Sequence, residues 1–298
     1  MAVIAAFGIS PALRDHDLGI LGARPTYGPP TVSPVPNLRA AGPLLWVPGL
    51  DQGWDPQGLA VADGSLLVSA YRSDRFGTNR GPCRVFRLDP ANGNENGHFD
   101  VPPPCGHAGG LAYAGDGSLY ITDTHTLFEV DLDSAFGNRT PPFRIFPLGQ
   151  GLKGALAASG RGEIWIGSYE EDRPGRLLKY DRRALKALPD QATLTRELAA
   201  TELTIPSYAQ GAAISFGKLW ISRSEIAWGS LEKLDLSGGR VVERYAAPGG
   251  IEGIAFDDTG GLWAVSEAGA RHFPGHYPFF PLIFRLDLNR MTPAAPDN

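Results

Sequence analysis

The chain contains no cluster of lysine and arginine, and its formal net charge over 298 residues is −5. With no RNA-reading signature either, nucleic-acid binding is excluded as a working reading. No apolar run approaches the ~20 residues that a membrane-crossing helix needs. There is no Gly-x-Ser-x-Gly elbow, no phosphate loop and no His-Glu-x-x-His motif, which argues against serine hydrolases, nucleotide enzymes and zinc proteases. Cysteine is limited to Cys83 and Cys105. Two thiols alone decide little, being either free and buried or joined in one disulfide. The opening MAVIAAFGIS is apolar but has no basic stretch and no long core, so it reads poorly as a secretion leader.

What is abundant is glycine and proline, 38 and 26 residues. That composition points to many tight turns and few long helices. A unit recurs five times, beginning QGLAVADGSLLVS at Gln57, GGLAYAGDGSLYIT at Gly109, KGALAASGRGEIWIG at Lys153, QGAAISFGKLWIS at Gln210 and EGIAFDDTGGLWAV at Glu252. Each unit continues into a third strand ending in Asp (VFRLD, LFEVD, LLKYD, LEKLD, IFRLD). The first four then add a fourth strand: GHFDVP, FRIFPL, TRELAA and VVERYAAP. Small residues in each first strand suit crowding at a central axis. Leu, Ile, Val and Trp in each second strand suit burial between sheets, and Gly and Asp between them supply hairpin turns.

Four antiparallel strands recurring every 42 to 57 residues predict an all-β fold, a β-propeller. The last unit lacks a fourth strand, and PLLWVPG (43–49) stands alone before the first. Placing 43–49 as the outer strand of the last blade closes the ring and gives five blades. A sixth blade built from the start of the chain is the alternative. Residues 1–42 are too proline-rich for a central strand and read as an irregular arm, leaving 43–298 as a single propeller domain.

In a propeller, the loop into the first strand and the loop out of the second share one face of the disc, where ligands bind around the pore. This is an analogy of fold, not of chemistry. It places Gln57, Gly109, Lys153, Gln210 and Glu252 in an inner ring. Tyr71, Arg72, Asp123, His125, Tyr169, Glu170, Arg223, Glu225 and Glu267 form a second ring. His107 and His125, 18 residues apart, flank one hairpin and so come to the same face, as a shared pocket or as two separate loop histidines. Cys83 and Cys105 also fall on that face, so a disulfide is feasible. It would favour a secreted or periplasmic location over a cytoplasmic one.

The pattern over 43–288 resembles the superfamily of calcium-dependent lactonases and esterases, which includes gluconolactonases, paraoxonases and the metal-free strictosidine synthases. GHAGGLAYAGDGSLYITDTH resembles the paraoxonase blade whose two histidines activate water, which implies a base and proton relay at His107 and His125. Two residues separate His107 from the matching Gly, and Asp-Thr-His stands where that family has Asn-His. IEGIAFDDTGGLW is similar to the gluconolactonase Glu-Gly entry, which places Glu252 at a metal-binding position. The other ligands do not carry over. Calcium takes 6–8 oxygens, and Lys153 in the ring would repel it and pair with Glu252 instead. No metal and no cofactor is expected.

The last blade carries SEAGARHFPGHYPFFPL (266–282), rich in aromatics, as a lid over an apolar ligand or as a loop packed on the arm. His272, Phe273, His276 and Tyr277 from it, with Tyr71, Tyr169, Tyr208 and Trp228, would line a cavity alongside Trp54, with Gln57, Arg72, Gln210 and Arg223 as polar anchors. Two functions compete. One is a metal-independent enzyme acting on a small, partly apolar molecule, by ester or lactone hydrolysis or by lyase- or cyclase-type proton transfer. His107, His125, Glu252, Lys153, Asp123 and Glu267 would be its acid–base groups. The other is a non-catalytic propeller that binds a small molecule in the same pocket. The partner in either case is a small molecule, and the sequence leaves the oligomeric state open.

Overall fold

A computed structural model of the chain describes residues 13–72, 81–137, 141–225, 227–271 and 278–294. Five sheets of four antiparallel strands surround one axis, and each innermost strand touches the innermost strands on both sides. The fold is a five-bladed β-propeller.

Blade one consists of Trp54–Ala62, Ser65–Arg72, Cys83–Leu88 and Glu95–Val101. Blade two consists of Gly110–Tyr113, Ser118–Asp123, Thr126–Asp131 and Phe143–Pro147. Blade three has Leu156–Gly160, Glu163–Gly167, Gly175–Asp181 and Thr201–Ile205. Blade four has Ala209–Ser215, Lys218–Glu225, Trp228–Asp235 and Val241–Ala247. Blade five joins Ile251–Phe256, Leu262–Ser266 and Leu282–Leu286 to Ala41–Trp46 from the start of the chain.

That last pairing runs Leu282↔Trp46, Ile283↔Leu45 and Phe284↔Leu44. The outer strand expected at 43–49 therefore forms two residues earlier and closes the ring. Leu21 adds a single parallel bridge to Leu45 on its outer edge. Leu18, Ile20, Tyr27, Val35 and Leu38 lay the described part of the arm against the apolar layer between blades four and five.

One expectation fails in blade three. TRELAA (195–200) is not its fourth strand: Arg196–Leu198 is a 3-10 turn and the strand is Thr201–Ile205. The third strand runs into a short helix, Arg182–Ala187, capped by Asp181 accepting from the Ala184 amide. That detour consumes the residues assigned to the strand. The helix Leu132–Gly137 after blade two's third strand also has no clear signal in so short a stretch.

Five apolar clusters fill the wedges between adjacent blades. Each fully buried Leu, Ile or Phe there stabilises by about 1.5–3 kcal/mol. At the axis the blades meet backbone to backbone. A Cβ on Gly253 would lie 2.2 Å from the Leu59 nitrogen, and one on Gly110 would lie 2.3 Å from the Ala157 nitrogen. Glycine there is a demand of space.

Candidate functional site

Strand register fixes which side chains are equivalent around the pore. Ala60↔Leu67, Ala112↔Tyr120, Ala158↔Trp165, Ala213↔Trp220 and Ala255↔Trp263 pair one innermost strand with its neighbour in every blade. Counting back from these alanines, the inner ring is Gln57, Gly109, Ala155, Gln210 and Glu252. Lys153 stands two residues upstream of it. KGALAA resembles the other entries by eye, but Leu156 occupies the position that is glycine elsewhere. The Gly110 contacts confirm this, because its Cβ would meet Leu156 and Ala157 just as that of Gly58 meets Gly110 and Leu111.

The expected Lys153–Glu252 pair is therefore corrected. Lys153 is 46% exposed and pairs with Glu170 at 3.2 Å, a carboxylate that Arg173 also holds. Lys153, turned to Glu170, brings no positive charge into the ring that would repel calcium. The donor set still does not fit calcium: among the described residues no three carboxylates bring their oxygens close enough together to share an ion. Among the described residues, the only three candidate ligand atoms that converge belong to Cys83, Cys105 and Asp123. Cys83 and Cys105 are disulfide-bonded, with Cα atoms 5.9 Å apart.

Asp123, expected as a proton carrier, anchors the loop that follows this disulfide. Its Oδ1 accepts from the backbone amides of Gly106, His107 and Ala108 at 3.2, 2.7 and 3.1 Å. The loop holds the His107 ring 5.2 Å from the Tyr71 ring. His125 sits in the two-residue turn between Asp123 and Thr126, exposed, with its carbonyl accepting from the Leu148 amide at 2.8 Å. Among the described residues no ring contact or hydrogen bond joins His125 to His107. The turn places both on one face and aims the His125 ring outward.

The groups that do converge are acids at the seam of blades five and one. Glu252 is 2% exposed. Burial first, and the Glu267 charge second, raise its carboxyl well above the ordinary range. Glu267 follows the second strand of the same blade and is pushed up to about 8 by burial and then by Asp55. The Gln57 side-chain amide donates to Glu267 Oε2 at 3.0 Å, which opposes that rise. Asp55 is fully buried directly opposite Tyr71. Burial and the charges of Glu267, Asp55 and Glu252 together raise the Tyr71 phenol. Desolvation and mutual repulsion thus favour the protonated forms of Glu252 and Glu267. Asp55 escaped the sequence reading, although its place two residues before Gln57 on the same strand signals a shared face.

The expected aromatic wall divides. Trp54 is buried against Phe86, under Arg84 at 4.7 Å and Arg72 at 5.8 Å. Tyr71 lies in the wedge between blades one and two. Tyr169, Tyr208 and Trp228 form a separate group in blades three and four. Arg223 is committed to structure: its guanidinium donates to the Ser207 carbonyl and to the fully buried Glu232 at 2.5 Å. Gln210 is half-buried at its ring position. His272, Phe273, His276 and Tyr277 lie outside the described residues.

No protein-family model matches the chain, and no curated protein matches it in sequence. Its likeness is to solved β-propellers. Glutaminyl cyclase from Myxococcus xanthus superposes with a TM-score of 0.54 at 14% identity, over 82% of this chain and 93% of that one. The PQQ-bound aldose sugar dehydrogenase of Streptomyces coelicolor gives 0.49 at 15% identity, over 78% and 94%. Likeness at such identities is one of fold. No helix among the described residues is long and apolar enough to cross a membrane.

Proposed function

We propose that the protein is a propeller enzyme that moves protons with the carboxyl pair of buried Glu252 and half-buried Glu267, on a small, partly apolar molecule at the pore mouth. The observation that carries this is the placement of two desolvated carboxyls on one blade, Glu252 in its first strand and Glu267 directly after its second, with Gln57 of blade one donating to the latter. A carboxyl that titrates at about 8 is mostly protonated at neutral pH and serves as a general acid, and its partner accepts a proton when ionised. Gln57 donates to Oε2 of Glu267, so the transferable proton belongs on Oε1. Lyase- or cyclase-type proton transfer, in which one group gains a proton as another loses one, suits such a pair.

Ester or lactone hydrolysis, which the lactonase-like pattern favours, would need water activated by the two histidines, and their separation weighs against it. The Cys83–Cys105 disulfide supports a secreted or periplasmic setting, because such bonds persist in oxidising compartments. The residues fit chemistry without a metal.

The test is a panel of lactones, aryl esters and amine-bearing amides capable of cyclising, assayed from pH 5 to pH 10. We expect turnover of one class that falls above about pH 8. Glu252→Gln and Glu267→Gln should abolish it, and His125→Gln should leave it unchanged. Turnover that survives both glutamine variants, or binding with no turnover of any class, would overturn the assignment.

A further inference from the structure

In blades three and four, next to the loop that carries Glu267, three aromatic side chains follow one another edge to face. Tyr169 and Tyr208 have ring centroids 6.2 Å apart and planes at 81°, and Tyr208 and Trp228 are 5.5 Å apart at 78°. All three are half-buried. Tyr208 holds φ at +60°, a left-handed conformation unfavourable for a bulky residue. Its amide donates to the Glu170 carbonyl at 2.7 Å and its carbonyl accepts from Ser224 at 3.2 Å, fixing it there. Retained strain of this kind concentrates at binding sites.

The walls are edged with negative charge. Glu171 accepts from the Tyr169 hydroxyl at 3.3 Å and Glu225 accepts from the Trp228 indole at 3.2 Å. Among the described residues, neither forms an ion pair with lysine or arginine. At the floor, Glu252 is 2% exposed. Its carboxyl takes no hydrogen bond or ion pair from any described residue, and it is close enough to raise the Tyr169 phenol. Arg223 already lies 5.4 Å from the Trp228 ring centroid, so one side of that ring carries a cation.

We propose that this corner receives the ammonium or alkylammonium head of the ligand, so that the molecule acted on is a partly apolar amine. The inference rests on the pore mouth being the active site, and it adds the charge of the substrate. An anion would meet the carboxylates of Glu171 and Glu225, while the nearby cations are already taken, Arg223 by Glu232 and Lys153 and Arg173 by Glu170. A neutral apolar group would strip water from Glu171 and Glu225 and return nothing. A cation alone satisfies both the ring faces and the carboxylates.

Isothermal titration of the full chain with choline and with its neutral isostere 3,3-dimethylbutan-1-ol tests the proposal. Choline should bind at least roughly tenfold more tightly than the alcohol. Trp228→Leu and Glu225→Gln should each weaken choline about fivefold or more, with melting temperatures recorded to show that the variants fold. Equal binding of the two compounds, or none of either, overturns the proposal. So does a thermal shift with calcium where choline gives none. Glu267→Gln separates the two conclusions, since it should end turnover and leave choline affinity in place. Choline binding without any Glu267-dependent turnover refutes the proposed reaction and sustains the cation site.

Discussion

Replacing Glu267 by glutamine should stabilise the protein at high pH and leave it nearly unchanged at low pH. The folded carboxyl titrates at about 8 against an ordinary 4.5. The folded state therefore keeps a proton that the unfolded chain releases. Wild-type stability is consequently full below about pH 4.5 and declines as pH rises towards 8. One pKa unit corresponds to about 1.4 kcal/mol, so the decline is capped at roughly 5 kcal/mol. Glu267 is only half-buried by exposed area, and solvent reduces that ceiling to roughly 2–3 kcal/mol. Glutamine keeps an oxygen to accept from Gln57 and has no charge to desolvate. It also removes the charge that raises Glu252, so the residual pH dependence of the variant should shift to lower pH, and Glu252→Gln/Glu267→Gln should be nearly flat. Urea unfolding of the three proteins between pH 5 and pH 9 measures this. A difference between wild type and Glu267→Gln that does not grow with pH, or a variant less stable at pH 9, would refute the account of a desolvated acid pair.

Reduction of the Cys83–Cys105 bond, which spans 22 residues, should cost roughly 3 kcal/mol in urea unfolding with and without dithiothreitol. An unchanged midpoint would count against its bracing role. Gly253→Ala should cost at least about 3 kcal/mol, because its Cβ would sit 2.2 Å from backbone of the next blade; a melting temperature near that of wild type would contradict the close approach. EDTA and millimolar calcium should leave the melting temperature unchanged, since no three carboxylates of the described residues gather closely enough to share an ion and calcium takes 6–8 oxygens. A calcium-dependent rise would revise the reading of that ring.

The blades were legible in the sequence because period-two apolar strands and a turn glycine (Gly64, Gly117, Gly162, Gly217 and Gly260) are local signals, repeated five times. The closing strand was legible because a missing fourth strand and a surplus first one are the same gap seen twice. Blade three was harder. Its entry reads KGALAA, and only the pairing Ala158↔Trp165 reveals that its glycine is displaced by two residues, which removes Lys153 from the pore. The site was half legible for a related reason. Periodicity gives the face on which a residue lies, and so found Gln57, Glu252 and Glu267. It does not give the direction of a side chain in a two-residue turn, and so joined His125 to His107. Nor does it distinguish a carboxylate that transfers protons from one that caps three amides, which is what Asp123 does.

The pairing of Ala41–Trp46 with Leu282–Leu286 also sets a schedule. On the ribosome the outer strand of blade five and all of blade one emerge first, yet the partner of Leu45 is Ile283. At about 5–20 residues per second, that partner follows roughly 10–50 seconds later. For that interval blade one has no neighbour on one flank, and a strand rich in Leu and Trp has an unpaired edge. Ring closure is therefore a late, long-range event, and the nascent propeller passes through its most adhesive state just before Leu282–Leu286 emerges.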